Sequence, residues 1–280
     1  MRRPGHGALV RHRRLVHPEV PRGHQQAEQY VHAGPLEVRI VGAEGAIRPQ
    51  ATGWKIKYSE LPLSVGVFSS RGAVPNRTVA LGLAGQPNEG GHLHAGSTPK
   101  GTLATTSVST GATGTATVKY TASIFAGKVT VSGTSDNAAS ATENMNVEVP
   151  GLTQLDSTAA VMWIGRVMNA HPYSHWGVPG MVTQLEATGT AMHAEYGIPL
   201  QVNDMSLQYG GKFDLSKTFS DGSHAEHRAG KSADIRTNHL NAKQLKFLRS
   251  TWMDLAGAVE SDHTVHDETG TTSPHYHFRY

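Results

Sequence analysis

The spacing of apolar residues changes once along this chain of 280 residues, close to Pro150. Before that point, apolar and polar residues alternate in several short runs, of which 36–40 is the first. A period of two predicts half-buried β-strands, and the Gly-, Ser- and Asn-rich stretches between the runs predict turns. After Pro150 the period becomes helical. We therefore expect a multidomain chain, with an all-β sandwich over 35–150 and an α+β domain over 151–280.

Three segments of the second domain have the helical period. Asp156 can cap the first segment, and Gly197 ends the second. Asn241 opens the third segment, where Gln244 completes a capping box. The apolar residues expected to face the core are Val161, Ile164 and Val167 or Met168 in the first segment, Val182, Leu185 and Met192 in the second, and Leu245, Leu248, Trp252 and Leu255 in the third. A strand over 200–207 is expected between the second and third segments.

Composition and charge exclude several classes of protein. The chain has no cysteine, so disulfides and thiolate metal sites are excluded. No apolar run reaches the roughly 20 residues of a transmembrane helix, so no membrane span is expected. The net charge of the chain is +3. Residues 1–34, with six arginines and two acidic residues, have a net charge of +4, so residues 35–280 have a net charge of −1. The remaining −1 gives no electrostatic support for nucleic-acid binding by the folded part.

Residues 1–34 are expected to form a basic, disordered leader, or to be an upstream extension from a misplaced start codon. Their longest apolar run, 8–10, is too short for the core of a signal peptide. A genuine export signal would then lie outside this sequence.

The last third of the chain concentrates residues that bind metal ions. The segment 224–234 reads HAEHRAGKSAD, and HYH follows at 275–277. Zn²⁺ accepts imidazole nitrogen and carboxylate oxygen, and a catalytic zinc site takes three protein ligands and leaves a position for water. His227, Asp234 and His277 could fill this role.

A shared site requires the chain to turn back between the first two candidates. Asp234 follows His227 by seven residues, which in an extended chain would separate them by about 23 Å. Gly230 is the residue at which a bend costs least. Residues two apart on a β-strand project from the same face, so His275 and His277 are expected to face one site together.

An accidental cluster is the alternative. The chain holds 17 histidines, seven of them after residue 220, and HxH alone is weak support for a metal site. A second HxH, His92 and His94 in a Gly-rich loop, has no evident carboxylate partner and is expected to be solvated. HxxGxxxD followed by HxH is far more specific. Because structural zinc sites usually contain cysteine, a zinc ion held only by His and Asp is expected to be catalytic.

The pattern HxxGxxxD followed by HxH resembles the LAS-type zinc metallopeptidases. This group includes D-Ala-D-Ala dipeptidases and carboxypeptidases, the hedgehog signalling domain and the penicillin-insensitive murein endopeptidases. The murein endopeptidases share most with this chain, because they carry an extra histidine three residues before the first ligand, matched by His224. They also have a strand and a Gly-Gly turn similar to Val202–Leu207 and Gly210–Gly211. The resemblance covers about residues 155–280.

This resemblance implies a LAS-type α+β peptidase domain that binds one Zn²⁺ ion. Its zinc ligands would be His227, Asp234 and His277, and His275 would lie beside the metal as a catalytic residue that steadies the oxyanion. A second group of enzymes that ends in HxH, the lysostaphin-type endopeptidases, has HxxxD as its first motif. Lys231 stands where that motif requires aspartate, which disfavours this assignment.

The general base is the point at which this chain departs from the resemblance. The murein endopeptidases have a further histidine three residues before HxH, where this chain has Thr272, which cannot act as a base. Dipeptidases and hedgehog have a glutamate a few residues before the metal histidine. The loop 265–270 offers His266, Asp267 and Glu268. We expect Glu268 or His266 to be the base, with Glu268 as first choice because the hedgehog-like relatives use glutamate.

Three residues are assigned to substrate binding. Arg228 and Arg279 flank the ligands in the sequence and could hold a substrate carboxylate. His224 is included because it matches the extra histidine of the murein endopeptidases. For the two arginines, a solvated position on the surface is the alternative interpretation.

The first domain resembles bacterial Ig-like domains of the invasin and intimin type. The similarity lies in 109–118 and 126–131, and the match extends over about residues 35–150. No catalytic constellation is present there. The resemblance implies a spacer, or alternatively a module that binds the cell wall or a partner.

These interpretations combine into one functional hypothesis. We expect a zinc-dependent peptidoglycan peptidase, of the murein endopeptidase or D,D-carboxypeptidase type, that hydrolyses cross-links or stem peptides containing D-alanine with a metal-activated water. Peptidoglycan peptides are the expected partners, and the expected location is the periplasm or the extracellular space of a bacterium. The alternative is a catalytically inactive, zinc-stabilised module that binds the cell wall or a partner. The sequence does not define the oligomeric state.

Overall fold

The computed structural model describes most of the chain after residue 33. The described residues are 34–43, 46–49, 59–93, 100–164, 171, 174–212, 219, 225–256 and 264–280. All of them belong to one compact unit that extends from Ala33 to Tyr280. Residues 1–33 of the expected leader, together with His94 and His224, lie outside the described residues.

The described residues before 150 form two packed β-sheets. Their strands are β1 (Leu36–Val41), β2 (Ala46–Ile47), β3 (Glu60–Ser69), β4 (Gly72–Ala73), β5 (Thr78–Gly85), β6 (Thr102–Leu103), β7 (Ser107–Ser109), β8 (Thr115–Thr121), β9 (Gly127–Thr134), β10 (Ala138–Ala139) and β11 (Ala141–Val147). One sheet has the order β10-β1-β3-β8-β6, with β4 paired to β3, and the other has the order β2-β11-β9-β5-β7.

Alternation along the strands creates the interior between these sheets. In β3, the side chains of Leu63, Val65 and Val67 are fully buried. The residue between Leu63 and Val65 is exposed, and the residues before Leu63 are exposed or only partly buried. Val131 of β9 contributes to the same interior from the opposite sheet. Each fully buried aliphatic side chain contributes roughly 1.5–3 kcal/mol by leaving water, which makes this interior the main stabilising feature of the sandwich.

The chain after 150 adds a smaller two-stranded sheet, a five-stranded sheet and two α-helices within the described residues. The elements are β12 (Thr153–Gln154), β13 (Val161–Trp163), β14 (Trp176–Gly177), α1 (Pro179–Tyr196), β15 (Leu200–Val202), a 3₁₀ turn (Ala225–Ala229), β16 (Ser232–Arg236), α2 (Ala242–Ala256), β17 (Thr264–Asp267) and β18 (His275–Arg279). The five-stranded sheet has the order β13-β15-β16-β18-β17, and β12 pairs with β14.

Both helices follow from local signals in the sequence. Helix α1 ends at Gly197, whose φ of 69° is left-handed and whose N–H donates to the His193 carbonyl. Helix α2 begins with a reciprocal capping box: the Gln244 N–H donates to Asn241 Oδ1 at 3.1 Å, and the Asn241 N–H donates to Gln244 Oε1 at 2.9 Å. The predictions of these two helices are confirmed, but the expectation that Leu255 faces the core is wrong, because its side chain is 48% exposed. Neither is long and apolar enough to cross a lipid bilayer, and the described residues contain no other α-helix.

The prediction of a helix after Asp156 is wrong. Val161–Trp163 is instead a strand, paired in parallel with β15 in the register Val161 opposite Leu200. A short apolar run fits a helix and a buried strand equally well, and here the pairing with a distant strand decides. The expected positions Val167 and Met168 lie outside the described residues.

The expected layout, an all-β Ig-like sandwich followed by an α+β LAS-type peptidase domain, is also wrong. The described residues are 41% strand and 18% helix, so the chain is mostly β. The strands before residue 150 account for most of this excess, because after residue 150 the two α-helices hold 33 residues and the seven strands hold 24.

Backbone hydrogen bonds also join the segments before and after residue 150. The Val149 N–H donates to the Tyr209 carbonyl, and the Lys212 N–H donates to the Ile124 carbonyl, each at 2.8 Å. Between these contacts, the Gly211 N–H donates at 3.0 Å to the carbonyl of Arg228, a residue of the 3₁₀ turn. The segment 209–212 is therefore bonded both to the sandwich and to the turn that carries His227.

Candidate metal centre

Three adjacent strands bring titratable side chains to one face of the C-terminal sheet. Asp234 of β16 stands opposite His277 of β18, and His266 of β17 stands opposite His277 on the other side. Directly opposed residues on antiparallel strands project from the same face. His275, two residues before His277, shares that face. The register of the sheet thus assembles four of the candidate residues.

His227 reaches the same place from outside the sheet. It lies in the 3₁₀ turn that precedes β16, and the turn ends at Gly230, whose φ is 70°. The Gly230 N–H donates to the His227 carbonyl at 3.0 Å, which closes the turn. The chain folds back at this glycine, and His227 Nε2 comes to lie 3.4 Å from Asp234 Oδ2.

His227, Asp234 and His277 form a group that could hold a metal ion. One ligand atom from each lies within 4.8 Å of the others, and all three residues are buried. His277 Nδ1 lies 2.7 Å from Asp234 Oδ1. Two imidazoles and one carboxylate are donors that divalent transition metals accept.

The carboxyl of Asp234 is held in its anionic form. Burial would raise its pKa, but hydrogen bonds and charge interactions with His227 and His277 hold that pKa well below its usual range. A buried charge needs such partners, because an isolated one is expensive to remove from water. The site therefore presents a permanent negative charge to a cation at neutral pH.

The pKa of the His227 imidazole is shifted in the opposite direction. Burial lowers its pKa, but the hydrogen bond and charge of Asp234 raise it above the ordinary histidine value. The second ring nitrogen, Nδ1, lies 3.4 Å from the hydroxyl oxygen of Ser232. The Asp234 carboxylate thus favours the protonated form of the His227 imidazole.

A second group of polar side chains lies at the more open side of the site. Glu268 places Oε1 at 3.1 Å from His266 Nδ1 and Oε2 at 3.3 Å from His275 Nε2. His275 Nε2 is also 3.7 Å from Asp234 Oδ1. The side chain of His266 is 60% exposed, and that of His275 is only 15% exposed. Glu268 therefore bridges a solvent-facing histidine and a histidine that borders the buried group.

Glu226 is a site residue that the sequence reasoning missed. Its Oε2 lies 2.6 Å from His277 Nε2, and its carboxylate accepts two hydrogen bonds of 2.7 Å from Arg279. Burial would raise its pKa, but Arg279 and His277 hold that pKa below the ordinary value. The available signal was its position directly before His227 in the motif segment, because adjacent residues of a tight turn can serve one site.

These groups line a pocket of about 340 Å³. The lining residues are Glu226, His227, Asp234, His266, Glu268, His275, His277 and Arg279. Of the residues assigned to substrate binding, Arg279 is in this lining, and two of its nitrogens donate to Glu226. Arg228 is buried and is not part of the lining. His224 lies outside the described residues.

No protein-family model and no curated protein matches the chain. Among the solved structures that match, three illustrate how weak the similarity is. The adhesin InvE of Yersinia pseudotuberculosis is 13% identical with a TM-score of 0.30, over 42% of this chain and 34% of that one. Domains 4 and 5 of the S-layer protein SbsC are 13% identical with a TM-score of 0.25, over 40% of this chain and 51% of that one.

The third structure is a DUF4466 family protein from Parabacteroides merdae ATCC 43184. It is 12% identical with a TM-score of 0.22, over 46% of this chain and 50% of that one. The chain thus spans about a third to a half of the length of these structures. Similarities of this strength carry no argument about fold or function.

His92 and His175, two described histidines outside the pocket, are buried. The expectation of a solvated His92 is wrong: it is 3% exposed, and its Nδ1 lies 3.2 Å from His171 Nε2. It also packs against the ring of Phe125 in an edge-on arrangement. His175 is buried, bonded to the Val202 carbonyl.

Proposed function

We propose that this protein is a zinc-dependent hydrolase that cleaves peptides of peptidoglycan. The observation that carries the proposal is the buried group of His227, Asp234 and His277, set in a pocket that also holds Glu268 and His275. Three protein ligands beside a pocket large enough for water and substrate are typical of a catalytic zinc site.

The donor set supports zinc among the possible ions. Two imidazole nitrogens and one carboxylate oxygen are accepted readily by zinc, and the chain has no cysteine. A bound zinc ion supplies a water of lowered pKa and polarises a carbonyl oxygen. Asp234 contributes the negative charge that retains the ion, and the two histidines fix its position.

Glu268 is proposed as the general base. Its carboxylate lies between His266 and His275 and borders the pocket, so it can take a proton from the attacking water and return it to the leaving amine. His266 is the second candidate, but its side chain is largely in solvent. His275 is proposed to donate a hydrogen bond to the oxyanion, because its Nε2 lies 3.7 Å from a ligand oxygen of Asp234.

Substrate binding is proposed for Arg279 and for His224. Arg279 lines the pocket and carries the positive charge that a peptide carboxylate needs, although Glu226 already accepts two of its hydrogen bonds. A role for Arg228 requires substrate to reach a buried side chain outside the lining, and it is the least supported of the three.

The substrate class and location rest on the motif resemblance. HxxGxxxD followed by HxH is similar to enzymes that act on D-alanine-containing peptides, so cross-links or stem peptides of the cell wall are the proposed substrates. Such substrates are found outside the cytoplasm, which supports a periplasmic or extracellular location for the protein.

A binding module without hydrolytic activity is the second candidate. Thr272 stands where the murein endopeptidases have a histidine, and it is exposed and lies outside the pocket lining. In this candidate the buried group would hold zinc for stability, and no water would be activated.

The experiment uses the full chain, freed of metal and reloaded with zinc. Muropeptide dimers and stem pentapeptides are incubated with the wild type, with His277→Ala and with Glu268→Gln, and the products are separated by chromatography. We expect cleavage by the wild type only, zinc loss in His277→Ala and retained zinc in Glu268→Gln. Glu60→Gln, which removes an exposed carboxylate of the sandwich paired with Lys119, is the matched control and should remain active.

Two results would contradict the proposal in different ways. A wild type that binds one equivalent of zinc but releases no product supports the binding module. If the wild type binds no zinc, both candidate functions are excluded.

A further inference from the structure

Each histidine of the buried group has one ring nitrogen toward the group and one toward another polar side chain. His227 directs Nε2 to Asp234, and its Nδ1 lies 3.4 Å from Ser232 Oγ. His277 has the opposite orientation, with Nδ1 at 2.7 Å from Asp234 Oδ1 and Nε2 at 2.6 Å from Glu226 Oε2. The two imidazoles therefore point different nitrogens at the place where an ion would bind.

We propose that Glu226 is a positioning residue for the metal centre, which holds His277 as the tautomer protonated on Nε2 so that Nδ1 is the metal ligand. The inference rests on the metal-binding part of the proposed function. A metal-binding histidine almost always donates its other N–H to an acceptor, which fixes the ring orientation and raises its basicity as a ligand. The carboxylate of Glu226 is the group in contact with that nitrogen.

Arg279 keeps Glu226 in this position. Its Nε donates to Glu226 Oε2 and its Nη2 donates to Oε1, both at 2.7 Å. A two-point pair between guanidinium and carboxylate fixes the plane of the carboxylate as well as its position. The 2.6 Å contact between Glu226 Oε2 and His277 Nε2 lies outside hydrogen-bond geometry in this structure, so the imidazole must turn slightly for its Nε2–H to donate to Oε2, which already accepts from Arg279. A rotation of Glu226 to ligate the metal would break both bonds to Arg279.

The local backbone explains why these residues meet. Glu226 and His227 are adjacent in the 3₁₀ turn, where successive side chains diverge by about 120°. His277 and Arg279 are two apart on β18 and share a face. The turn thus supplies one ligand and one support, and the strand supplies the second ligand and the residue that anchors the support.

The competing interpretation is that Glu226 is itself a fourth metal ligand. An ion bound by Glu226 would lie on its side of His277, and His277 would then coordinate through Nε2. The two interpretations therefore predict different coordinating nitrogens, which nuclear magnetic resonance of ¹⁵N-labelled histidine distinguishes.

The first measurement is zinc affinity by competition with a chromophoric chelator, on the full chain. We expect Glu226→Ala to weaken zinc binding by roughly 10- to 100-fold, as the loss of such a partner typically does. Glu226→Gln should have an intermediate affinity, because its amide oxygen can still accept from Nε2 but is neutral. Glu60→Gln is the control and should bind as the wild type does. Thermal unfolding of each metal-free variant separates a folding defect from a loss of affinity.

The second measurement is the ¹⁵N spectrum of the zinc-loaded wild type. We expect one histidine bound through Nε2 and one bound through Nδ1 with a protonated Nε2, and we expect the latter signal to broaden or shift in Glu226→Gln. Two histidines bound through Nε2 would overturn the inference, as would wild-type zinc affinity in a folded Glu226→Ala.

These outcomes are separable from those that test the proposed function. Zinc binding without hydrolysis would exclude the proposed peptidase activity but would not contradict the role of Glu226. Hydrolysis by the wild type, together with unchanged zinc affinity in Glu226→Ala, would exclude the role of Glu226 but would support the proposed activity. If the wild type binds no zinc, both are wrong.

Discussion

Asp234 and His277 face each other across adjacent antiparallel strands, with 2.7 Å between Asp234 Oδ1 and His277 Nδ1. Their pairing is set by the register of β16 and β18, so it depends on the fold of the whole C-terminal sheet. A shift of one residue in this register would place the two side chains on opposite faces of the sheet. The sheet thus positions two of the three candidate ligands, and the turn positions His227.

Asp234→Asn is expected to remove most of the zinc affinity. The amide keeps the shape of the side chain but lacks the charge that the neighbouring histidines stabilise. In the wild type, zinc at about 100 times its Kd should raise the free energy of unfolding by about 2.7 kcal/mol. Thermal unfolding with and without zinc measures this gain, and it should be absent in the variant. Asp254→Asn, at an exposed position of α2, should retain it; a full gain in Asp234→Asn would exclude the carboxylate as a ligand.

Gly230→Ala is expected to destabilise the protein more than a glycine replacement in open space. An alanine at φ 70° costs roughly 1 kcal/mol, and its methyl group would also displace Leu152 Cδ2 and lie 3.2 Å from the Gly177 Cα, a backbone atom that cannot rotate away. Gly111→Ala is the matched control, because its φ of 58° is similar and no atom lies within 4 Å of the added carbon. Urea unfolding of both variants measures the difference. Equal destabilisation would mean that the close approach to Leu152 relaxes without cost.

Leu248→Ala is expected to lower the free energy of unfolding by about 2–5 kcal/mol, because Leu248 is fully buried behind the C-terminal sheet. The matched control is Leu255→Ala on the same helix, where the side chain is 48% exposed. That control should change stability by no more than about 0.5 kcal/mol. Chemical denaturation gives both values, and similar losses in the two variants would contradict the burial of this face of α2.

Stability is expected to fall as the solution is acidified, in part through His175. Burial lowers the pKa of this imidazole in the folded protein, and the bond to the Val202 carbonyl only partly opposes the effect. The unfolded chain, with a histidine pKa of about 6.5, therefore takes up a proton first as the pH falls. The contribution is complete above that pH and is lost as the pH falls toward the lower pKa of the folded state.

The matched pair for this effect is His175→Gln and His193→Gln. Urea unfolding between about pH 8 and about pH 5.5 should show a smaller pH dependence for His175→Gln than for the wild type. His193 is exposed on α1, so its replacement should leave the pH dependence unchanged. An identical pH dependence in all three proteins would assign the effect to other groups.

Local motifs in the sequence predicted the buried group, and long-range packing determined what they missed. HxxGxxxD and HxH named His227, Asp234 and His277, because ligand chemistry restricts residue type and the glycine restricts the bend. Glu226 was missed because the direction of its side chain depends on the 3₁₀ geometry of the turn, which the spacing of residues does not define.

The same limit explains the errors in the fold. Val161–Trp163 has a local pattern compatible with a helix, but its partner Leu200 lies about forty positions away and makes it a strand. The burial of His92 likewise depends on His171, 79 residues further along the chain. The helices α1 and α2 were predictable because their caps are local, whereas strand pairing and burial between distant segments are not.

The hydrogen bond from Gly211 to the Arg228 carbonyl has a consequence for how this protein can be cut or recombined. Gly211 also forms a β-bridge with Phe125 of the sandwich, so one backbone segment touches both the sandwich and the turn that carries His227. A fragment that begins after residue 150 would expose that segment to water on one side. The sandwich therefore supports the turn that carries His227. We expect the C-terminal sheet to lose this support when it is produced without the sandwich or fused to another protein.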